Sequence, residues 1–239
     1  MKEKKEMQVN VDGEVMDELK KNRESLLKSM HSSFFGCFTQ QRHEAFAAIN
    51  DLLNYYNFTN IIEIGTHDCG LSIPLALYCL NSKIPVEAEN PSEPSTHKAR
   101  THHKQPKQFY TMDITVRDIH SIKLIIGMGA KFFKEDCFLK EAEIGNLIQQ
   151  NGRSLLLCDG GDKPKEVNTF AKYLKKGDII MGHDYFHSEE EEEKYLNKIW
   201  YGKELCYKDV EKTLEKENIS VIYRETFDPV VWMCAIKNE

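Results

Sequence analysis

Residues 61–72 read IIEIGTHDCGLS. Ile61 to Ile64 form a short apolar run with one acid, Glu63, inside it, which predicts a buried strand. Gly65 follows directly, and a glycine at that point lets the backbone turn sharply and approach a ligand closely. Gly70 comes five residues later, where a helix is predicted to begin. Strand, glycine loop and helix together are the opening unit of an α/β sheet. The loop is not the GxGxxG of a dinucleotide site, because Thr66 and His67 follow Gly65, and it lacks the GK[ST] ending of a phosphate-binding loop. An ordinary strand-to-helix turn, with glycine for backbone reasons alone, is the plain alternative.

Working outward, Phe46, Ile49, Leu52, Leu53 and Tyr56 recur at helical spacing and predict an amphipathic helix over 39–56. Ahead of it, residues 1–38 are set apart as an N-terminal helical arm, Lys- and Glu-rich over its first thirty or so residues. After Gly70, LSIPLALYCL is apolar nearly all round; its leucine and alanine content favours a buried helix, provided Pro74 falls in the first turn. Residues 81–107 hold four prolines and almost no large apolar side chains, which predicts a mobile insertion. Regular structure resumes with QFYTMDI as a strand, a helix near 115–126, AKFFKED as a strand and a helix near 139–150. SLLLCDG, residues 154–160, is the clearest buried strand. Val167, Phe170, Ala171 and Leu174 then mark a helix, Asp178 to Gly182 a strand ending in His183-Asp184, and 207–218 a further helix. ISVIYRE and VVWMCAI close the chain as two strands; the TFDP between them is too short for a parallel crossover, so they pair antiparallel.

The sum is α/β: a domain over 39–239 built on a seven-stranded, mostly parallel sheet with helices on both faces and an antiparallel strand at its C-terminal end. In such sheets ligands bind beyond the carboxyl ends of the strands, at the point where strand order reverses. Acids occupy all five of those ends: Glu63 with Asp68, Asp113, Glu135-Asp136, Asp159 with Asp162, and Asp184.

The 239 residues suit one such domain, and 41% apolar with 29% charged side chains is an ordinary composition. Thirty-eight acids against 32 bases give a net charge of −6, which offers a nucleic-acid partner no overall attraction. No run of 18 apolar residues predicts a membrane span. The opening MKEKKEMQVNVDGEV has charge without the apolar stretch of a secretory signal. Seven cysteines without a CxxC pair read as buried thiols in a reducing compartment, and a cytoplasmic location is expected.

IIEIGTHDCGLS resembles the ExGxxxG motif of class I S-adenosylmethionine-dependent methyltransferases. It is nearest to the EIGTxxGxS form of the catechol and macrocin O-methyltransferase and cephalosporin-hydroxylase-like groups. The resemblance continues through QFYTMDI and through LLLCDGGDKPKEVNTFAKYLKKGDIIMGHD, so that it covers about 39–186. It implies a Rossmann-like methyltransferase sheet and S-adenosyl-L-methionine as cofactor. Glu63, Gly65, Thr66 and Gly70 would then shape the methionine end of the cofactor site. Asp113 would accept from both ribose hydroxyls, a task that suits a carboxylate, and Asp136 would lie beside the adenine. A helix N-cap is the competing role for Asp113, which lies 43 residues beyond Gly70.

The fourth and fifth strands should be neighbours, so Asp159 and Asp184 can converge in a way that suits Mg²⁺. In the related O-methyltransferases a metal here binds the acceptor oxygen. By that resemblance Asp159, Asp184 and His183 are the metal ligands, although histidine is a poorer Mg²⁺ ligand than an acid; Asp159 also borders the cofactor. Asp162, Lys163 and His183 are the candidate proton acceptors, of which His183 has the most suitable intrinsic pKa. Asp162 precedes Lys163-Pro164 and a helix, so capping explains it equally well, and capping alone would account for the Asp159/Asp184 pair too.

By the same resemblance, Gln40 and Gln41 would approach the cofactor from the first helix. His97, His102 and His103 read as polar loop residues, and Glu189 to Glu193 as a solvated face. Tyr185, Phe186, Trp200 and Tyr201 suit an acceptor-pocket wall or core packing alike. The expected activity is O-methylation of a small molecule, a sugar or diol, with metal assistance. The expected partners are that acceptor and, at most, further copies of the chain. The alternatives are a non-catalytic cofactor-binding or scaffold module, a cephalosporin-hydroxylase-like oxidation, for which no 2-His-1-carboxylate set is evident, and a nicotinamide dehydrogenase, which the absent GxGxxG disfavours.

Overall fold

The computed structural model describes residues 32–34, 37–39, 41, 43–81, 107–188, 190 and 205–239. The expected arm therefore lies outside the described residues except for Ser32–Phe34 and Cys37–Thr39, which pair antiparallel. The expected insertion, with its three histidines, lies outside too, as do Gln40, Trp200, Tyr201 and all of Glu189 to Glu193 except Glu190.

Seven strands form one sheet: β1 (Asn60–Ile64), β2 (Gln108–Asp113), β3 (Lys131–Lys134), β4 (Ser154–Cys158), β5 (Ile179–His183), β6 (Ile219–Val221) and β7 (Trp232–Lys237). Their spatial order is β6-β7-β5-β4-β1-β2-β3. Strands β3, β2, β1, β4 and β5 run parallel, and β7 runs antiparallel to both β5 and β6. The helices are α1 (His43–Tyr56), α2 (Ser72–Asn81), α3 (Ile119–Gly127), α4 (Glu141–Ile148), α5 (Lys163–Phe170), α6 (Tyr207–Lys216) and the single turn α7 (Arg224–Phe227).

The central strands β1, β4 and β5 are buried along their whole length, because both of their faces are covered. Alternate side chains serve the two faces. Ile61, Leu155, Leu157, Met181 and Trp232 pack with α1, α2 and α3. Ile62, Ile64, Leu156, Cys158, Ile180 and Met233 pack with α4, α5 and α6. This two-sided burial explains why the strands read as continuous apolar runs rather than alternating ones. At the open edge, β3 exposes Lys131 and Lys134, charges of the kind that discourage edge-to-edge pairing.

Three expectations are corrected. Cys37–Thr39 is extended, and α1 begins only at His43. The strand expected over ISVIYRE stops at Val221; Tyr223 takes φ 53° and α7 follows, so the link to β7 is partly helical. The cap role considered for Asp113 falls to Asp118, whose side chain accepts from the His120 N–H ahead of α3. Pro74 does lie in the first turn of α2. Cys69, Cys79, Cys137, Cys158, Cys206 and Cys234 are buried free thiols. No described helix is long and apolar enough to cross a membrane.

Candidate active site at the switch point

From β1 the chain steps one way, to β2 and then β3, and later returns to the other flank of β1 as β4. The loops after β1 and β4 therefore face each other across the point where strand order reverses, the expected ligand crevice. They touch at Gly65. It has φ +95°, and a Cβ there would lie 2.2 Å from the Asp159 carbonyl oxygen. Only glycine permits that conformation together with that approach. The loop is tied down by Gly65 and Thr66 N–H groups donating to the Met112 carbonyl, at 2.9 and 3.2 Å. It then passes through His67 and Cys69, two non-glycine residues with positive φ, and reaches Gly70, buried where α2 begins.

Glu63, at 1% exposure, is the buried acid of this half. Its Oε2 accepts from Ser72 Oγ and Thr111 Oγ1, both at 2.5 Å, which fastens the start of α2 and strand β2 to β1. Thr66 Oγ1 joins Thr111 Oγ1 at 2.6 Å. Burial pushes the Glu63 carboxyl up to about 8; the two hydroxyl bonds oppose that shift, and the charges of Asp159 and Asp113 add to it. Near neutral pH the carboxyl thus keeps its proton. Asp113, at the tip of β2, accepts from the His67 N–H through Oδ2 and from the Thr115 N–H through Oδ1, each at 2.9 Å. Asp136, beyond β3, accepts from the Phe138 N–H at 2.8 Å and so makes a local turn.

The other half comes from β4, β5 and α5. Asp159, His183 and Asp184 each place a ligand-type atom within 4.8 Å of the others, so the carboxylates converge as expected from sequence. Asp159 Oδ1 lies 2.8 Å from His183 Nδ1, and Oδ2 accepts from Gln41 Nε2 at 3.0 Å. Gln41 Nε2, a donor, also lies 3.2 Å from His183 Nδ1, but the amide is directed at Asp159, and the carboxylate at 2.8 Å assigns the ring proton to Nδ1. His183 Nε2 is buried and has no hydrogen-bond partner among the described residues. Burial pulls the His183 pKa down, but the negative charges of Asp159 and Asp184 outweigh it and leave the group above its ordinary value. The ring also packs on Trp232, with centroids 4.8 Å apart. Trp232 Nε1 donates to Gln41 Oε1 at 2.8 Å, which aims the amide at Asp159. Asp184 turns back through φ 53° and pairs with Lys163 Nζ at 2.8 Å, both side chains nearly buried.

Asp162 is the N-cap of α5, accepting from the Lys165 N–H, and Pro164 sits in the first turn. Of the three candidate proton acceptors, then, Asp162 caps, Lys163 is ion-paired and His183 alone is set in a carboxylate dyad. Glu166 was not foreseen. It is 1% exposed, and its two carboxyl oxygens accept from the Gly160 and Asp162 N–H groups at 3.2 and 3.3 Å, shaping the Asp159–Asp162 loop. Burial raises it to about 7.

No family model matches the sequence, and no curated protein matches it at sequence level. The fold does have solved counterparts. An apo structure of CmcI superposes with a TM-score of 0.57 at 12% identity, over 87% of this chain and 76% of that one. The chain has the class I methyltransferase fold. A CmcI structure described as holding Mg and SAM aligns with a TM-score of 0.52 at 12% identity, over 85% and 76% of the two chains. A protein from Klebsiella pneumoniae assigned as an O-methyltransferase aligns at 0.50 and 13%, over 97% and 93%. At these identities the likeness is one of fold. On the methyltransferase fold, the loops after β1 and β4 are the ones brought together here by Gly65 and Asp159.

Proposed function

We propose that this chain transfers a methyl group from S-adenosylmethionine to an oxygen of a small molecule, a sugar or diol. The observation that carries the reading is the Asp159–His183 dyad, standing beside the glycine loop of β1 with Nε2 buried and without a hydrogen-bond partner among the described residues. That arrangement suits a proton acceptor adjoining a ligand crevice.

The cofactor half fits its ligand. Gly65 lets the loops after β1 and β4 close on each other, since a Cβ there would meet the Asp159 carbonyl, and Glu63 holds a buried carboxyl that a cationic ligand would drive to its charged form. Thr66, Gly70 and Asp113 frame the same loop. Asp136, just beyond β3, would lie beside the adenine on this reading. When bound, S-adenosylmethionine supplies an electrophilic methyl group on a positive sulfur. His183 Nε2 would take the proton of the acceptor hydroxyl while the methyl passes to that oxygen and the sulfur keeps the pair of the broken sulfur–methyl bond, and Asp159 would stabilise the resulting imidazolium through Nδ1. Gln41 and Trp232 hold that carboxylate in place. The packed rings and the buried Lys163–Asp184 pair keep water from the proton-accepting nitrogen.

Magnesium was expected at Asp159, His183 and Asp184. The three donors are together, yet Asp159 faces the Gln41 amide and His183 Nδ1, and Asp184 faces the Lys163 ammonium and, at 3.5 Å, His183 Nδ1; of the imidazole, Nε2 keeps a lone pair with no partner among the described residues. They do not suit a resident ion in this arrangement, so no step is assigned to one.

The reading is tested by calorimetric titration with S-adenosylmethionine, followed by mass-spectrometric detection of methylated sugars and diols. Glu63→Ala should weaken cofactor affinity about tenfold or more, on the order of 1.4 kcal/mol. Asp159→Ala should abolish turnover while leaving cofactor binding intact. Normal turnover by Asp159→Ala would sink the dyad. Binding without turnover on any acceptor would leave the chain a cofactor-binding module.

A further inference from the structure

Lys163 takes no part in the proton transfer of the proposed reaction. Its position follows from the cap of α5: Asp162 closes the N-terminus, Lys163 is the first helical residue, and Pro164 fixes the turn. From there the side chain reaches Asp184, the residue after β5, with Nζ 2.8 Å from Oδ2. The two side chains are only 12% and 8% exposed. A buried ammonium thus stands against one of the three groups that could otherwise share a divalent ion.

Of the other two groups, the Asp159 carboxylate is committed in the same direction, while His183 keeps its Nε2 lone pair. A metal needs lone pairs pointed at it. Asp159 directs one oxygen at the Gln41 amide and the other at His183 Nδ1, and His183 turns that protonated nitrogen inward to the carboxylate. A Mg²⁺ ion bound to Asp184 at about 2.0–2.1 Å would have to sit within a few ångströms of Lys163 Nζ. Like charges so close in a buried site repel strongly.

We propose that Lys163 is the cation of this site. Its ammonium takes the place of a divalent ion between α5 and β5, holds Asp184, and makes the chain's methyl transfer independent of added metal. The last part rests on the methyltransferase reading; the exclusion of the ion by Lys163 does not. On that reading the positive charge lies beside the dyad, where it favours alkoxide character at the acceptor oxygen.

The test is a Mn²⁺ titration of the full chain followed by electron paramagnetic resonance, with cofactor affinity measured separately by calorimetry. The wild-type protein should show no tight Mn²⁺ site that depends on Asp184. Lys163→Met should bind Mn²⁺ at least about tenfold more tightly than wild type, and adding Asp184→Asn should erase the gain. Chelator-treated wild type should keep its turnover. A tight wild-type site abolished by Asp184→Asn would overturn the proposal, as would turnover lost to chelator and restored by Mg²⁺. So would a folded Lys163→Met that binds no better than wild type. Should Lys163→Met fail to fold, the wild-type titration decides alone. If the wild type shows neither Mn²⁺ nor cofactor binding, the methyltransferase reading fails while ion exclusion stands.

Discussion

Glu63 shows how one buried side chain links proton and ligand. Burial pushes its carboxyl up to about 8, with Asp159 and Asp113 adding to the shift, so at pH 7 the ligand-free protein holds a proton there. A cationic ligand beside it favours the charged form and expels that proton. Cofactor binding at pH 7 should therefore release protons, seen as a binding enthalpy that changes with the ionisation enthalpy of the buffer. Glu63→Gln should abolish that dependence. His183 makes a second prediction. Turnover needs its neutral form, and although burial lowers its pKa, the charges of Asp159 and Asp184 raise it further. Activity should rise with pH through a midpoint above about 6.5, the ordinary histidine value. Asp159→Asn, by removing a negative charge, should move the midpoint of any residual activity downward. A midpoint that stays fixed would assign the limb to another group. Glu63, Asp159 and His183 are legible as candidates because each lies at, or one residue from, the end of a strand with an apolar run. Gln41 and Trp232 lie 191 residues apart, and nothing local marks them as the support of Asp159.

The two facing loops are where the fold's elements meet most closely. Gly65 could be read from sequence as a turn glycine, but its closeness to the Asp159 carbonyl is a property of the β1–β4 pairing. Gly65→Ala would combine a disfavoured φ of +95° with a Cβ 2.2 Å from that oxygen. We expect a loss of stability on the order of 3 kcal/mol or more, measured by urea denaturation, with cofactor affinity falling in whatever protein remains folded. A change below about 0.5 kcal/mol would show that the loops can part without cost. The same level explains why Glu166 went unnoticed. It sits four residues after the cap Asp162, one further than the capping-box spacing, and reads as an ordinary first-turn acid. Helix starts were misplaced for a similar reason: Thr39 belongs to an extended segment, and periodicity alone does not say where a helix is capped. Tyr223 ended β6 early by entering the left-handed region, which its sequence does not announce.

At the scale of the molecule, strand–helix alternation made the parallel sheet legible, and the short link before β7 fixed the antiparallel end. The switch point between β1 and β4 then gathers acids that an isolated helix cap would have left in water. That gathering has a measurable consequence for stability. Burial raises Glu63 to about 8 and Glu166 to about 7, and it raises Asp178 as well, against its bonds to Lys175 and Ser154. In the unfolded chain these groups lose their protons near the ordinary carboxylate range, about 4. Between that range and pH 8 the native state therefore binds more protons than the unfolded state, and stability must fall as pH rises. Each group contributes at most about 1.4 kcal/mol per pH unit while its two states differ. His183 acts with the same sign: its raised native pKa contributes stability that is full below about 6.5 and is lost as pH climbs through the native value. The carboxyls held low, Asp118, Glu141 and Glu239, are all at the surface. Their stabilising effect is present above the ordinary carboxylate range and is lost only in stronger acid, so they do not oppose the trend between pH 5 and 8. Urea denaturation should thus find the ligand-free protein more stable at pH 5 than at pH 8. Glu63→Gln should flatten the slope without reversing it, since Glu166, Asp178 and His183 remain. Stability that instead climbs from pH 5 to pH 8 would mean that these acids reach water, and that the switch point is not the closed, proton-holding crevice described above.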